Sequence, residues 1–204
     1  MTLYKYIFAG LVKRVENLWN RLLGVEKRNL LRKAKGRVLE IGVGTGVNAK
    51  YYRKGINFIG LEPNPSMYKY LRKNTRANGL KVKIVTGFAE KIPLANNCVD
   101  TVVSTHVLCS VNNVDRVLSE IKRVLKHGGK FIFIEHVGAK NRLLRFVQNF
   151  ANPVWAFLMD GCQVNRDLEE SIRSKFKKVY VKRKYVRVPS RIIAPHILGI
   201  AKKQ

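Results

Sequence analysis

Glu40, Gly42, Gly44 and Gly46 stand at alternate positions in the stretch Val38-Leu39-Glu40-Ile41-Gly42-Val43-Gly44-Thr45-Gly46, and these residue types suit the binding of a small cationic ligand. Glycines so spaced permit positive φ and let a ligand come close to the main chain. Dinucleotide turns use G-x-G-x-x-G, whereas the spacing here is G-x-G-x-G and asks for a different occupant. A carboxylate just ahead of the turn repels a pyrophosphate and attracts an ammonium, directly or through water. A second acid, Glu62, stands sixteen residues beyond Gly46, after the apolar run Phe58-Ile59-Gly60-Leu61 and before Pro63 and Asn64. At the carboxyl end of a second strand it can accept two hydrogen bonds from ribose hydroxyls. The ligand so described has a ribose and a cationic amino-acid end, and needs no phosphate.

These residues need strands and helices to position them. Val38, Leu39 and Ile41 form the short branched run of a buried parallel strand, and residues 58–61 form a second. Further strands are expected at 81–86, 99–104 and 131–134, with a closing pair at 179–188 and 196–201. Helices are expected at 65–78, ended by Gly79, at 114–125, followed by a Gly128-Gly129 turn, and at 167–174. Residues 1–35 read as one helix, with Tyr4, Ile7, Phe8, Leu11, Val12, Val15, Leu18, Trp19 and Leu22 on its apolar face. Its other face carries Lys5, Lys13, Arg14, Asn17, Asn20 and Arg21. Such a helix either lies in a membrane interface or packs as a lid over its own domain.

A chain of 204 residues with 46% hydrophobic content suits one ordinary domain, here 36–204, preceded by the helix at 1–35. Its 40 Lys+Arg against 13 Asp+Glu give a formal charge of +27, which favours a polyanion such as an acidic lipid surface or nucleic acid, or else a solvated lysine-rich surface. Cys98, Cys109 and Cys162 follow no C-x-x-C spacing, so a reducing, cytoplasmic setting and no structural zinc are expected. No export signal and no stretch long enough to span a bilayer is read in the chain, and a monomer is expected.

The glycine turn and Glu62 are followed in order by Gly87-Phe88-Ala89-Glu90-Lys91-Ile92-Pro93-Leu94, Val99-Asp100-Thr101-Val102-Val103 and Val124-Leu125-Lys126-His127-Gly128-Gly129-Lys130. Together they resemble the small-molecule branch of the class I S-adenosylmethionine-dependent methyltransferases. The resemblance implies an α/β, Rossmann-like fold with a seven-stranded, mostly parallel sheet and helices on both faces. It also implies S-adenosylmethionine as cofactor, held by Glu40, Gly42, Gly44, Gly46, Glu62, Pro63, Asn64, Ala89, Glu90 and Thr105. Where the family usually has an acid for the adenine amine this chain has Phe88, so either Phe88 packs on the ring or groups near Ala89 and Glu90 read it.

By the same resemblance, residues 105–111 meet the methyl group. They lack the Asn/Asp-Pro-Pro-aromatic run of enzymes acting on planar nitrogens, so nucleic acid is not favoured as acceptor. His106, His136 and Asp160 are the candidates for a catalytic base. The later segments Asn141 to Phe146, Asn152-Pro153-Val154-Trp155, Asp160 to Asp167 and Pro195-His196-Ile197-Leu198-Gly199 resemble a subgroup. It holds bacterial phosphatidylethanolamine N-methyltransferases and animal membrane-associated thiol S-methyltransferases. Leu143, Leu144, Phe146, Val147, Phe150, Trp155, Phe157 and Leu158 then supply an apolar wall beside the cofactor, or form the core side of a long helix. The expected activity is methyl transfer to a small amphipathic or lipid-headgroup acceptor, with an amine nitrogen first. A thiol, RNA, and binding without catalysis are the alternatives, and peripheral contact with an anionic membrane on the inner face is expected.

Overall fold

The computed structural model describes residues 16–159 and 161–204. Most of the expected amphipathic face at 1–15, and the candidate base Asp160, therefore lie outside the described residues.

Seven strands form one sheet in the order β3-β2-β1-β4-β5-β7-β6, comprising β1 (Arg37–Ile41), β2 (Asn57–Leu61), β3 (Val82–Val85), β4 (Val99–Thr105), β5 (Leu125–His136), β6 (Lys178–Tyr185) and β7 (Pro195–Lys202). Strands β3, β2, β1, β4 and β5 pair in parallel, and β7 is antiparallel to both β5 and β6. The helices are α1 (Gly24–Leu31), α2 (Tyr68–Ala77), α3 (Val114–Val124), α4 (Arg142–Leu158) and α5 (Leu168–Lys175). One apolar cluster joins Leu39, Ile41, Phe131 and Phe133 to Leu118 and Ile121 of α3, while the other joins Val38, Ile132 and Ile134 to Trp19, Leu23, Leu31 and Leu71. Alternation along β1 and β5 sends successive side chains to opposite clusters, as a strand with both faces covered requires.

Four expectations need correction. The N-terminal segment is not one helix: residues 16–22 are helical, the chain bends at Leu23, and α1 then runs to Leu31. Leu23 is fully buried at the bend and Gly24, a poor helix former, follows it. The helix expected at 65–78 opens with a 3-10 turn, Pro65–Met67, capped by the Asn64 side chain. The Gly128-Gly129 turn is an irregularity inside a longer β5, where Gly128 takes φ +73° and the pair exchanges hydrogen bonds with Lys203.

The largest correction concerns α4, which is polar inward and apolar outward. Leu143, Phe146, Val147, Phe150, Val154, Phe157 and Leu158 are exposed, Phe150 and Phe157 by 84% and 88%. They do not form a core side. The inward face is held by polar groups instead. Fully buried Gln148 accepts from the Ala139 N–H and donates to the carbonyls of Val137, Val164 and Ile192. Arg145 donates to the Ala139 and Asn165 carbonyls and pairs with Asp167.

Candidate active site

The turn after β1 builds the first half of the site. Gly42, Gly44 and Gly46 all have positive φ, at 55°, 54° and 74°. A Cβ on Gly42 would lie 2.6 Å from Val107, one on Gly46 2.6 Å from Leu71, and one on Gly44 2.5 Å from the Glu16 carboxylate. Two of the glycines therefore fit the turn against its neighbours, while Gly44 opens onto a polar face. The Glu62 carboxylate, at the end of β2, accepts from the Gly44 N–H and the Asn64 N–H, each at 2.9 Å. Glu16 accepts from the Thr45 N–H at 3.3 Å and from the Thr45 hydroxyl.

Glu40 lies behind the turn and is completely buried. Asn48 donates to one of its oxygens at 2.6 Å and the Tyr52 hydroxyl to the other at 2.8 Å. The same Asn48 amide reaches the Thr105 hydroxyl at 2.9 Å, linking the ends of β1 and β4. Burial pushes Glu40 up to about 7 and also raises Glu16 and Glu62. Lys27, itself lowered to about 8 by burial, faces Glu40 and Glu16 and donates to Asn20. Three of only 13 acidic residues thus surround one turn in a chain of formal charge +27. Glu16 and Glu62 line the turn while Glu40 supports it from behind, an acidic setting that suits a ligand bearing an ammonium, a sulfonium and a ribose.

The remaining predicted cofactor residues take mixed positions. Pro63 is exposed beside Glu62, and Asn64 gives its N–H to Glu62 and its side chain to the cap of the following turn. Ala89 is buried, and Glu90 accepts from the Asn112 N–H, which ties its loop to the start of α3. Phe88 is 68% exposed.

The second half is a cluster of histidines. His106 follows β4 with φ 57°, an unfavourable conformation for a non-glycine residue, and its N–H is fixed to the Ile134 carbonyl at 2.9 Å. His136 and His196 are direct partners across the antiparallel β5–β7 pair. The ring centroids of these histidines lie 4.6 Å (106–136), 4.5 Å (136–196) and 5.2 Å (106–196) apart, and Trp19 lies within 5.0 Å of each. Burial holds His106 well below the usual histidine range and His196 down to about 3, so both are neutral at ordinary pH. Next to them the sulfurs of Cys109 and Cys162 are 3.5 Å apart, with Cys162 Sγ 3.7 Å from His136 Nδ1. Hydrogen bonding from Cys109, reinforced by His136, lowers the Cys162 thiol, while Cys109 is raised. Buried Glu135 accepts from the Ser104 hydroxyl and the Val107 N–H, which steadies the loop after β4.

His106 and His136 are therefore brought together, whereas Asp160 is not among the described residues. Sequence reasoning missed Glu16, Trp19, Asn48, Tyr52 and His196. Glu16 had a faint signal as an acid in a basic helix, and His196 stood inside a quoted motif. Asn48 and Tyr52 had none, because their roles depend on a 3-10 turn folding back over Glu40.

Residues 39–133 match the methyltransferase domain family model. Thiol S-methyltransferase TMT1A of Homo sapiens is 33% identical over 209 residues, covering 96% of this chain and 86% of that protein. A phosphatidylethanolamine N-methyltransferase of Cereibacter sphaeroides is 32% identical over 103 residues, covering 50% of this chain and 51% of that one. A Thermotoga maritima structure described as an SAM-dependent methyltransferase, possible histamine N-methyltransferase, superposes with a TM-score of 0.68 at 23% identity, covering 97% of this chain and 99% of that one.

Proposed function

We propose that this chain, which belongs to the S-adenosylmethionine-dependent methyltransferases, methylates the thiol of a lipophilic small molecule taken from a membrane surface. The observation that carries the reading is the buried His106–His136–His196 cluster beside the end of β4, walled by Trp19 and held off from the carboxylates around the glycine turn. Bound S-adenosylmethionine supplies an electrophilic methyl group on a sulfonium. Glu62 and the Gly44–Thr45 backbone orient the cofactor's polar end, and Glu40 positions Asn48 and Thr105. Trp19 excludes water, which favours a displacement that disperses charge. A thiol, with an ordinary pKa of about 8.5, reaches its nucleophilic, deprotonated form near neutral pH far more readily than an alkyl ammonium reaches its neutral form. The long match to a thiol S-methyltransferase supports the same choice.

The outward apolar face of α4 supports the membrane part. It is continuous along the helix, and exposed Lys140, Arg142 and Arg191 lie at or near α4 in a chain of high positive charge, complementary to an anionic bilayer. Among the described residues no helix is long and apolar enough to cross a membrane. Amine methylation is the second reading, favoured by the partial match to the phosphatidylethanolamine enzyme. Methyl transfer assayed side by side on an alkyl thiol and on phosphatidylethanolamine vesicles tests the choice. Turnover on the thiol alone is expected, and turnover on the amine lipid alone overturns it.

A further inference from the structure

The histidine cluster has the geometry of a metal site, although no spacing in the sequence announces one. We propose that His106, His136 and His196 bind one zinc ion, and that its open fourth position takes the acceptor thiol. One ring nitrogen from each of the three lies within 4.8 Å of the others. His106 Nε2 and His196 Nε2 are 3.1 Å apart. Two imidazoles on a tetrahedral zinc, with Zn–N of about 2.0–2.1 Å, bring their nitrogens to about 3.3 Å, so this pair is already near that spacing.

The partners of the other ring nitrogens point the same way. His196 Nδ1 lies 3.0 Å from the Ala194 carbonyl, which fixes the proton on Nδ1 and leaves a lone pair on Nε2. His136 Nδ1 faces the Cys162 sulfur, and its Nε2 is buried with no hydrogen-bond partner among the described residues. A buried nitrogen without a partner is costly, and a cation in the cluster would remove that cost. Metal-bound histidines characteristically anchor the second ring nitrogen on a backbone carbonyl, a carboxylate or water, as His196 does on the Ala194 carbonyl. Three nitrogen ligands with a vacant fourth position is the arrangement of catalytic zinc, and His106, the least buried of the three, leaves a side for access.

The chemistry rests on the thiol reading. A thiol held by the zinc would bind as thiolate, its proton released to bulk solvent as it enters the site. That thiolate forms the new sulfur–carbon bond as the sulfonium–methyl bond breaks, and the broken bond's electron pair stays on the cofactor's sulfur. No oxidant or further reactant is needed.

Titration of the metal-free full chain with cobalt(II) tests the site without relying on activity. One equivalent should bind with the intense visible bands of a tetrahedral centre, zinc should displace it, and an added alkyl thiol should bring a near-ultraviolet sulfur-to-cobalt band. His136→Gln and His196→Gln should each weaken binding at least tenfold, whereas His127→Gln, at an exposed residue outside the cluster, should not. Cofactor calorimetry on each variant identifies any that has simply failed to fold. No stoichiometric binding, or equal binding in the cluster variants, overturns the site. A sulfur-to-cobalt band before any thiol is added also overturns it, in favour of Cys109, His136 and Cys162 as ligands. Full thiol methylation after chelation overturns the role in thiol activation and leaves the methyl-transfer reading standing. A loaded site with no thiol turnover overturns that reading and leaves the metal site standing.

Discussion

Glu62 shapes the glycine turn through the Gly44 and Asn64 N–H groups, each bonded to a different carboxylate oxygen, and its remaining lone pairs are assigned to ribose hydroxyls in the proposed cofactor site. Glu62→Ala should weaken S-adenosylmethionine binding about ten- to hundredfold by calorimetry, the equivalent of losing one charge-assisted hydrogen bond or two weaker ones. Unchanged affinity would remove Glu62 from the cofactor site. Glu40 makes a different prediction because burial holds it at about 7 in the folded chain against an ordinary 4.5. The native state then keeps a proton that the unfolded chain has lost. This group's contribution to stability is therefore present below about pH 4.5 and lost as pH rises to about 7. Glu40→Gln abolishes that titration. Denaturant unfolding of the cofactor-free proteins should show the variant gaining on the wild type between those pH values, by up to about 3 kcal/mol, with no further change above pH 7. A pH-independent difference would mean that Glu40 is ionised in both states.

At the level of elements, α4 separates what holds the fold from what faces outward. Gln148→Ala leaves the Ala139 N–H and three carbonyls without their partner in a buried position, so unfolding should become easier by about 2–4 kcal/mol. Phe150→Asp combined with Phe157→Asp touches only exposed positions and should leave the melting temperature nearly unchanged. The same pair should reduce co-sedimentation with anionic vesicles at least tenfold, and undiminished sedimentation would mean that α4 is not the docking face. This helix also marks where the sequence stops being legible. Its apolar spacing is correct for a helix, but spacing alone does not say whether the stripe faces inward, and the polar groups that settle it find partners in three distant segments. The parallel strands, by contrast, were legible because a strand covered on both faces must be apolar throughout, and the turn after β1 because its glycines and acids are neighbours in sequence. The histidine cluster was only half legible. His106 and His136 sit at strand ends, but His196 reaches them through the β5–β7 register, which no local pattern encodes.

Considered as a whole, the chain uses residues 16–31 as part of the domain. Trp19 is 5% exposed and Leu23 fully buried, both in the apolar cluster that includes Val38 and Ile134, and Glu16 reaches into the glycine turn. A chain truncated to begin at Lys27 loses all three. Removing a buried tryptophan costs about 3–5 kcal/mol and a buried leucine about 2–5, a large share of the roughly 5–15 kcal/mol that stabilises a domain. The truncated protein should melt on the order of 10 °C lower or more, and should bind S-adenosylmethionine more weakly because the turn and the histidine cluster are uncovered. Its α4 face remains, so whatever stays folded should still sediment with anionic vesicles, less so as salt shortens the Debye length. Thermal melting, cofactor titration and vesicle sedimentation on the same preparation distinguish the two roles of this segment. Undiminished melting and cofactor affinity together with lost sedimentation would assign the segment before Lys27 to the bilayer alone and overturn its role as a lid.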